Sequence, residues 1–276
     1  MSEELKAFKN RLQTLRKKYP AYNHFFDFYA GVILTRRGFE KLPRVKVPAI
    51  EKQMLDLMIK EGFPLLSPDN FSPDVNQAQE LFFRLCKSLK EVPETKAKAE
   101  RIESYFKDHR EDLAQVFKHF LEKKYSTPDA LDEHLLHFIL FHSLKPSLRA
   151  CAEALAPSLE QVSWNNGYCP ICGHYPHIAV LKEEGKRFLK CSFCEYEWQI
   201  ERVFCPFCGE KDYKKLKYLE AEGEEGYRVY LCEACKSYLK TVDERLLPDV
   251  ADLELEDIAT IHLDILAEKE GYKKLI

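Results

Sequence analysis

The sequence predicts a multidomain α+β protein. An all-α helical bundle is expected over residues 1–163, two tandem four-cysteine modules over 164–200 and 201–247, and a closing C-terminal helix over 248–276. Two observations carry this expectation. Apolar residues recur at helical spacing through the first half, and four Cys-x-x-Cys knuckles crowd into the second: Cys169/Cys172, Cys191/Cys194, Cys205/Cys208 and Cys232/Cys235. A third observation is the order of the knuckles. Cys169-Pro-Ile-Cys172-Gly173 precedes a plainer knuckle, and Cys205-Pro-Phe-Cys208-Gly209 precedes another, so one unit is repeated in tandem.

Leu5, Phe8, Leu12 and Leu15 form the first helical stripe. Residues 21–35, entered from Pro20, carry Phe25, Phe26, Phe28, Tyr29, Val32 and Ile33; a third helix spans 50–59. Gly62, Pro64, Pro68 and Pro73 mark a loop, after which Asp74 starts a helix through Leu81, Phe82, Leu85 and Leu89. Shorter helices are expected at 95–106, 111–124, 128–141 and 146–155, with the short connections of a compact bundle. The composition changes at Trp164-Asn165-Asn166-Gly167. From there short strands are expected at 177–181, 187–190, 197–203, 215–219 and 227–231. Past Pro248, Leu255, Ile258, Ile261, Ile265 and Leu266 line one face of a helix that Gly271 stops.

A chain that is 45% hydrophobic and 32% charged is globular, not disordered. Glu3 and Glu4 stand where a secretory signal needs a basic end, and no apolar run approaches the roughly 18 residues of a membrane span. The expected compartment is therefore the reducing cytoplasm, where eight of ten cysteines in paired knuckles read as metal ligands and not as disulfides. From Trp164 onward there are 16 Lys and Arg against 22 Asp and Glu, a balance that disfavours a nucleic-acid-binding ribbon.

Two cysteines separated by two residues can turn both sulfurs toward one point. Gly173 and Gly209 supply a permissive backbone to close the turn, and Pro170 and Pro206 fix φ at its start. Two such knuckles complete a tetrathiolate, so the expected cofactors are two metal ions per chain, iron or zinc, on the eight cysteines. Tandem and cross-braced pairings of the knuckles are both open at this stage. Cys86 and Cys151 read as buried free thiols on helices. His174 and His177 read as surface residues or as neighbours supporting the ligands, and His134 and His137 as solvated helix residues. Tyr175, Tyr196 and Trp198 are packing residues or partner anchors, Trp198 being assigned to the core of its module. No nucleophile triad, phosphate loop or dinucleotide fingerprint is present, so the chain is not expected to be an enzyme.

The stretches Tyr168-Cys-Pro-Ile-Cys-Gly-His-Tyr-Pro176, Arg187-Phe-Leu-Lys-Cys-Ser-Phe-Cys-Glu-Tyr-Glu-Trp198 and Arg202-Val-Phe-Cys-Pro-Phe-Cys-Gly209 resemble the formate dehydrogenase accessory protein family FdhE. So do Cys232-Glu-Ala-Cys-Lys-Ser-Tyr-Leu-Lys-Thr241 and the closing helix through Tyr272. The resemblance implies rubredoxin-like modules in which iron is as credible as zinc. It also implies a cytoplasmic maturation factor that binds the catalytic subunit of a formate dehydrogenase and is required for its activity. The competing expectations are an iron-containing redox sensor or electron carrier, and a zinc-ribbon protein that binds nucleic acid.

Overall fold

The computed structural model describes residues 3–39, 43–247, 250 and 252–275. Met1, Ser2 and Pro248, on which parts of the reading above fall, lie outside the described residues. In chain order the helices are α1 Glu3–Lys18, α2 Asn23–Arg37, α3 Lys52–Glu61, α4 Val75–Leu89, α5 Pro93–Asp108, α6 Asp112–Leu121, α7 Glu133–Leu155, α8 Leu253–Ala259 and α9 Ile261–Lys269. The strands are β1 Pro176–Leu181, β2 Arg187–Cys191, β3 Glu197–Ile200, β4 Leu216–Leu219, β5 Tyr227–Cys232 and β6 Tyr238–Asp243. Among the described residues no helix is long and apolar enough to cross a membrane.

The chain forms two compact units, one of residues 28–51 and 66–158, the other of 1–27, 52–65 and 159–276. The first is helical. Asp74 caps α4 by accepting from the Gln77 amide, as its position before the apolar run predicts. The α4 face of Leu81, Phe82, Leu85 and Leu89 is buried, and Phe82 meets Phe106 of α5 edge to face, centroids 5.2 Å apart. The helices expected at 128–141 and 146–155 are one element, α7, with Pro146 inside it. An interior proline removes a helical hydrogen bond and costs about 3 kcal/mol. Here the surrounding turn, Ser143 to Leu148, is wholly buried, so packing holds the helix through it. Cys86 and Cys151 are buried in this unit, and burial pushes their thiols up, to about 12 and about 11.

The second unit is built on a mixed sheet of order β3-β2-β1-β6-β5-β4. Each four-cysteine module supplies three antiparallel strands, and the first strand of one pairs in parallel with the last strand of the other, Ala179 opposite Thr241 and Leu181 opposite Asp243. The repeat is therefore stacked head to tail, and the modules share a backbone ladder. β6 was not among the expected strands. All six of its residues are buried, Lys240, Thr241 and Asp243 included, so it lacks the alternation that marks a half-exposed strand.

What makes burial of Lys240 tolerable is a carboxylate pair on the closing helices. Lys240 Nζ reaches Asp257 Oδ1 at 2.6 Å and Asp264 Oδ2 at 2.5 Å. The closing segment is two helices and not the one expected. Thr260 leaves the helical conformation (φ −107°, ψ 27°), and its hydroxyl donates to the Glu256 carbonyl at 2.8 Å. The break lets α8 pack on β1 and α9 on β5 and β6, where Leu263 and Ala267 join Ile178, Val229 and Val242 in one core. α1 belongs to this unit. Arg11 grips Glu256 through two hydrogen bonds, 2.7 and 2.9 Å, and donates a third to Tyr227 at 2.8 Å.

Candidate metal centres

The four knuckles fold by one local pattern. The amide of each leading cysteine donates to the carbonyl five residues on: Cys169 to His174, Cys191 to Tyr196 and Cys205 to Glu210 at 2.9 Å, Cys232 to Ser237 at 3.0 Å. In three of them the amide four residues on returns a bond to the leading cysteine's carbonyl, from Gly173, Gly209 and Lys236, each at 2.9 Å. Closing the turn requires a left-handed residue after the second cysteine. Gly173 (φ 74°) and Gly209 (φ 77°) take it without cost, whereas Glu195 (φ 62°) and Lys236 (φ 57°) take it at about 1–2 kcal/mol each. The two knuckles without glycine thus hold strain that other contacts of the site must offset.

The sulfurs gather in tandem. Cys169, Cys172, Cys191 and Cys194 form one group, and Cys205, Cys208, Cys232 and Cys235 the other, with all sulfurs of a group within 4.8 Å of one another. Cys169 lies 3.5 Å from Cys194 and Cys172 lies 3.4 Å from Cys191; in the second group the matching separations are 3.7 Å (Cys205–Cys235) and 3.6 Å (Cys208–Cys232). A tetrahedron with metal–sulfur bonds of about 2.3 Å has edges of about 3.8 Å, close to these values and far from a disulfide. The donor set fits a soft, tetrahedral cation, and each group could hold one metal ion. Four thiolates complete such a shell and leave no open position, which suits a structural or electron-transfer centre.

The two groups differ in exposure. Cys169, Cys191 and Cys194 are buried, and the amides of Ile171 and Phe193 point to Cys169 and Cys191 sulfurs at 3.4 Å. Burial pushes the Cys169 and Cys194 thiols well up. At Cys172 the burial penalty is outweighed by hydrogen bonds from the other three sulfurs and His174, which hold it well down. Four thiols in one closed cage compete for the same protons, and a cation that replaces them removes the conflict. In the second group Cys208 is exposed and Cys235 half-buried. Ser237, which sequence reasoning missed, lies 2.8 Å from the Cys235 sulfur and 3.8 Å from that of Cys205. Its only sequence signal is its place two residues past a knuckle.

The remaining candidates separate cleanly. The His174 ring packs on Phe193 beside the first group, with Nδ1 3.3 Å from the Cys172 carbonyl. His177 is buried, its Nδ1 3.4 Å from Asp257, away from the sulfurs. His134 and His137 are exposed on α7, and neither belongs to a metal-competent group among the described residues. Trp198 is a core residue, 4% exposed, donating to the Asn166 carbonyl at 3.2 Å; Tyr196 is half-buried and Tyr175 41% exposed. Next to Asn166, Gly167 passes so close to the third knuckle that a Cβ would fall 1.8 Å from the Pro206 carbonyl oxygen.

Fold and site together define a class: a helical protein carrying two four-cysteine, metal-competent modules fused through one sheet. Residues 168–202 match the family model described as FdhE, central domain, and residues 203–275 that described as FdhE, C-terminal domain. The FdhE homologue of Aquifex aeolicus (strain VF5) is 26% identical over 96% of this chain and 91% of its own length. Those of Stutzerimonas stutzeri (strain A1501) and Escherichia coli O127:H6 are 38% and 33% identical over 111 residues, which is 35% of each of those proteins. The crystal structure of the FdhE protein from Pseudomonas aeruginosa superposes with a TM-score of 0.67 at 22% identity, covering 96% of this chain and 91% of that one, and so shares the fold. Across both four-cysteine modules, residues 168–275, the chain is thus similar to the FdhE family.

Proposed function

We propose that this chain is a cytoplasmic accessory factor for a formate dehydrogenase, binding the catalytic subunit during its maturation and required for its activity. The observation that supports this most is the continuous FdhE match across both cysteine groups, residues 168–275. In this reading the modules of residues 164–200 and 201–247 each fold around one ion, iron or zinc, on Cys169, Cys172, Cys191 and Cys194 and on Cys205, Cys208, Cys232 and Cys235. A bound dication supplies charge compensation to four thiolates and fixes two knuckles against each other. The protein's own groups do the rest. The shared sheet holds the knuckles at set positions, and the knuckle surface offers Tyr175, its ring 5.6 Å from that of Phe207, as an aromatic anchor for the client. A factor that works by binding acts through its different affinities for client states and needs no catalytic residue.

The test is a pull-down with the tagged, metal-loaded full chain from its host, paired with formate dehydrogenase activity in a strain lacking it. Capture of the catalytic subunit, and activity restored by the wild type alone, is the expected result. Normal enzyme activity in the deletion strain refutes the proposal. Because residues 1–27 and 52–65 belong to the same unit as 159–276, the full chain is the right probe and not a truncation at 160. A second reading, a redox sensor, is favoured by one observation, the exposure of Cys208. It predicts that air oxidation releases metal from the second group first and changes client affinity in step.

A further inference from the structure

Beside the second cysteine group, between the strands of the two modules, lies a cavity of about 350 Å³. Three arginines line it, Arg187, Arg202 and Arg228, and no Asp or Glu does among the described residues. This is unexpected in a half-chain that carries more acids than bases. Arg228 is already paired with Glu220 and lies over the Tyr218 ring, 5.1 Å from its centroid. Arg202 makes no ion pair among the described residues.

Arg187 is the informative residue. It is 2% exposed, and no carboxylate among the described residues pairs with it. Nη1 donates to the Phe204 carbonyl at 2.8 Å, but Nε is buried without a partner. The guanidinium lies 4.9 Å from the centroid of the Tyr230 ring. Burial pulls its pKa down to about 10, so it is still cationic at neutral pH. The nearest anionic group is the Cys205 sulfur of the adjoining metal group, which leaves the buried Nε donor unmet, and an unmet buried donor is costly unless a bound group satisfies it. The walls are aromatic: the Tyr218 and Tyr230 rings lie 5.9 Å apart, and Tyr213 stands 70% exposed at the rim.

We propose that this cavity is a binding site for an oxyanion, carboxylate or phosphate, carried on a flat ring-bearing small molecule. The guanidinium fork of Arg187 meets the anion, Arg202 completes its charge balance, and the tyrosine walls cover the ring. The volume falls within the range of small-ligand pockets, about 300–1,000 Å³. This site adjoins the second metal group, with Cys205 and Cys232 in its wall, and stands whether or not the accessory reading holds.

The experiment titrates the metal-loaded full chain with phenyl phosphate and with phenylacetate, using phenol and inorganic phosphate as the component controls, by calorimetry. One aromatic oxyanion is expected to bind at a single site with a Kd below about 1 mM, the tighter of the two identifying the anion. Phenol and inorganic phosphate are each expected to bind about ten-fold more weakly or worse. Arg202→Ala, at an exposed position, should weaken binding about ten-fold with the unfolding curve unchanged, and Arg187→Met should abolish it. Should Arg187→Met fail to fold, Arg202→Ala decides. Absence of binding by both aromatic oxyanions, equal binding of phenol, or unchanged affinity in Arg202→Ala overturns the proposal.

Discussion

Arg11→Met is the substitution whose effect the structure specifies most closely. Arg11 is 9% exposed and Glu256 fully buried, and the hydrogen bonds that Arg11 donates to Glu256 raise the arginine pKa further. Without the guanidinium, the Glu256 carboxylate keeps one side-chain donor, the Tyr227 hydroxyl at 2.5 Å. Breaking a buried ion pair from one side costs about 3–5 kcal/mol, because an uncompensated charge remains in the interior. With a urea slope of about 2 kcal/mol/M, the midpoint should fall by about 2 M. Adding Glu256→Gln removes the stranded charge while keeping an acceptor for Tyr227, so the double variant should recover most of the loss. Both tryptophans, Trp164 and Trp198, lie in the same unit as this pair, so intrinsic fluorescence during urea unfolding reports on it. A single variant within about 1 kcal/mol of wild type, or a double variant no better than the single, refutes the reasoning.

The tandem grouping of sulfurs predicts that Cys169→Ser leaves one metal ion per chain, lost from the first group, and that Cys205→Ser spares the first group instead; loss of both ions in either variant, by elemental analysis, would overturn it. Stripping metal with a chelator should abolish the cooperative tryptophan transition while far-UV helical signal persists, since the helical unit's core contains no ligand. Gly167→Ala should disturb the third knuckle, because its Cβ meets the Pro206 carbonyl; weakened metal retention in the second group, with the first intact, is the readout. For pH, burial alone would raise the Asp257 carboxyl, but Lys240, Lys274 and His177 outweigh it and hold it well below its ordinary range. A depressed carboxyl contributes stability above its unfolded pKa of about 3.9, lost as pH falls through the folded value. The stability gap between wild type and Asp257→Asn should therefore be constant above about pH 5 and narrow as pH falls from there toward the folded value, and a gap independent of pH would count against the network.

Much of the site was legible in the chain because knuckle geometry is local. Two cysteines two residues apart, with glycine after the second, specify their own turn, and four such turns in series announce two groups of four. Helices with a clear stripe, such as α4 behind its Asp74 cap, were equally plain. What local pattern could not carry was anything whose reason lies across the fold. β6 has buried Lys240 and Asp243 where a strand usually shows alternation, and only the carboxylates of α8 and α9 and the guanidinium of Arg245 make that burial acceptable. Pro146 ends a helix by its own chemistry, yet α7 runs through it because its neighbours are packed on every side. The choice of tandem over crossed knuckles rests on antiparallel pairing within each module, and the head-to-tail joining of β1 to β6 on pairing over about sixty residues of separation. Periodicity reports what a residue faces and not which partner it meets; that pairing is decided by burial and charge compensation, which exist only once the chain has folded.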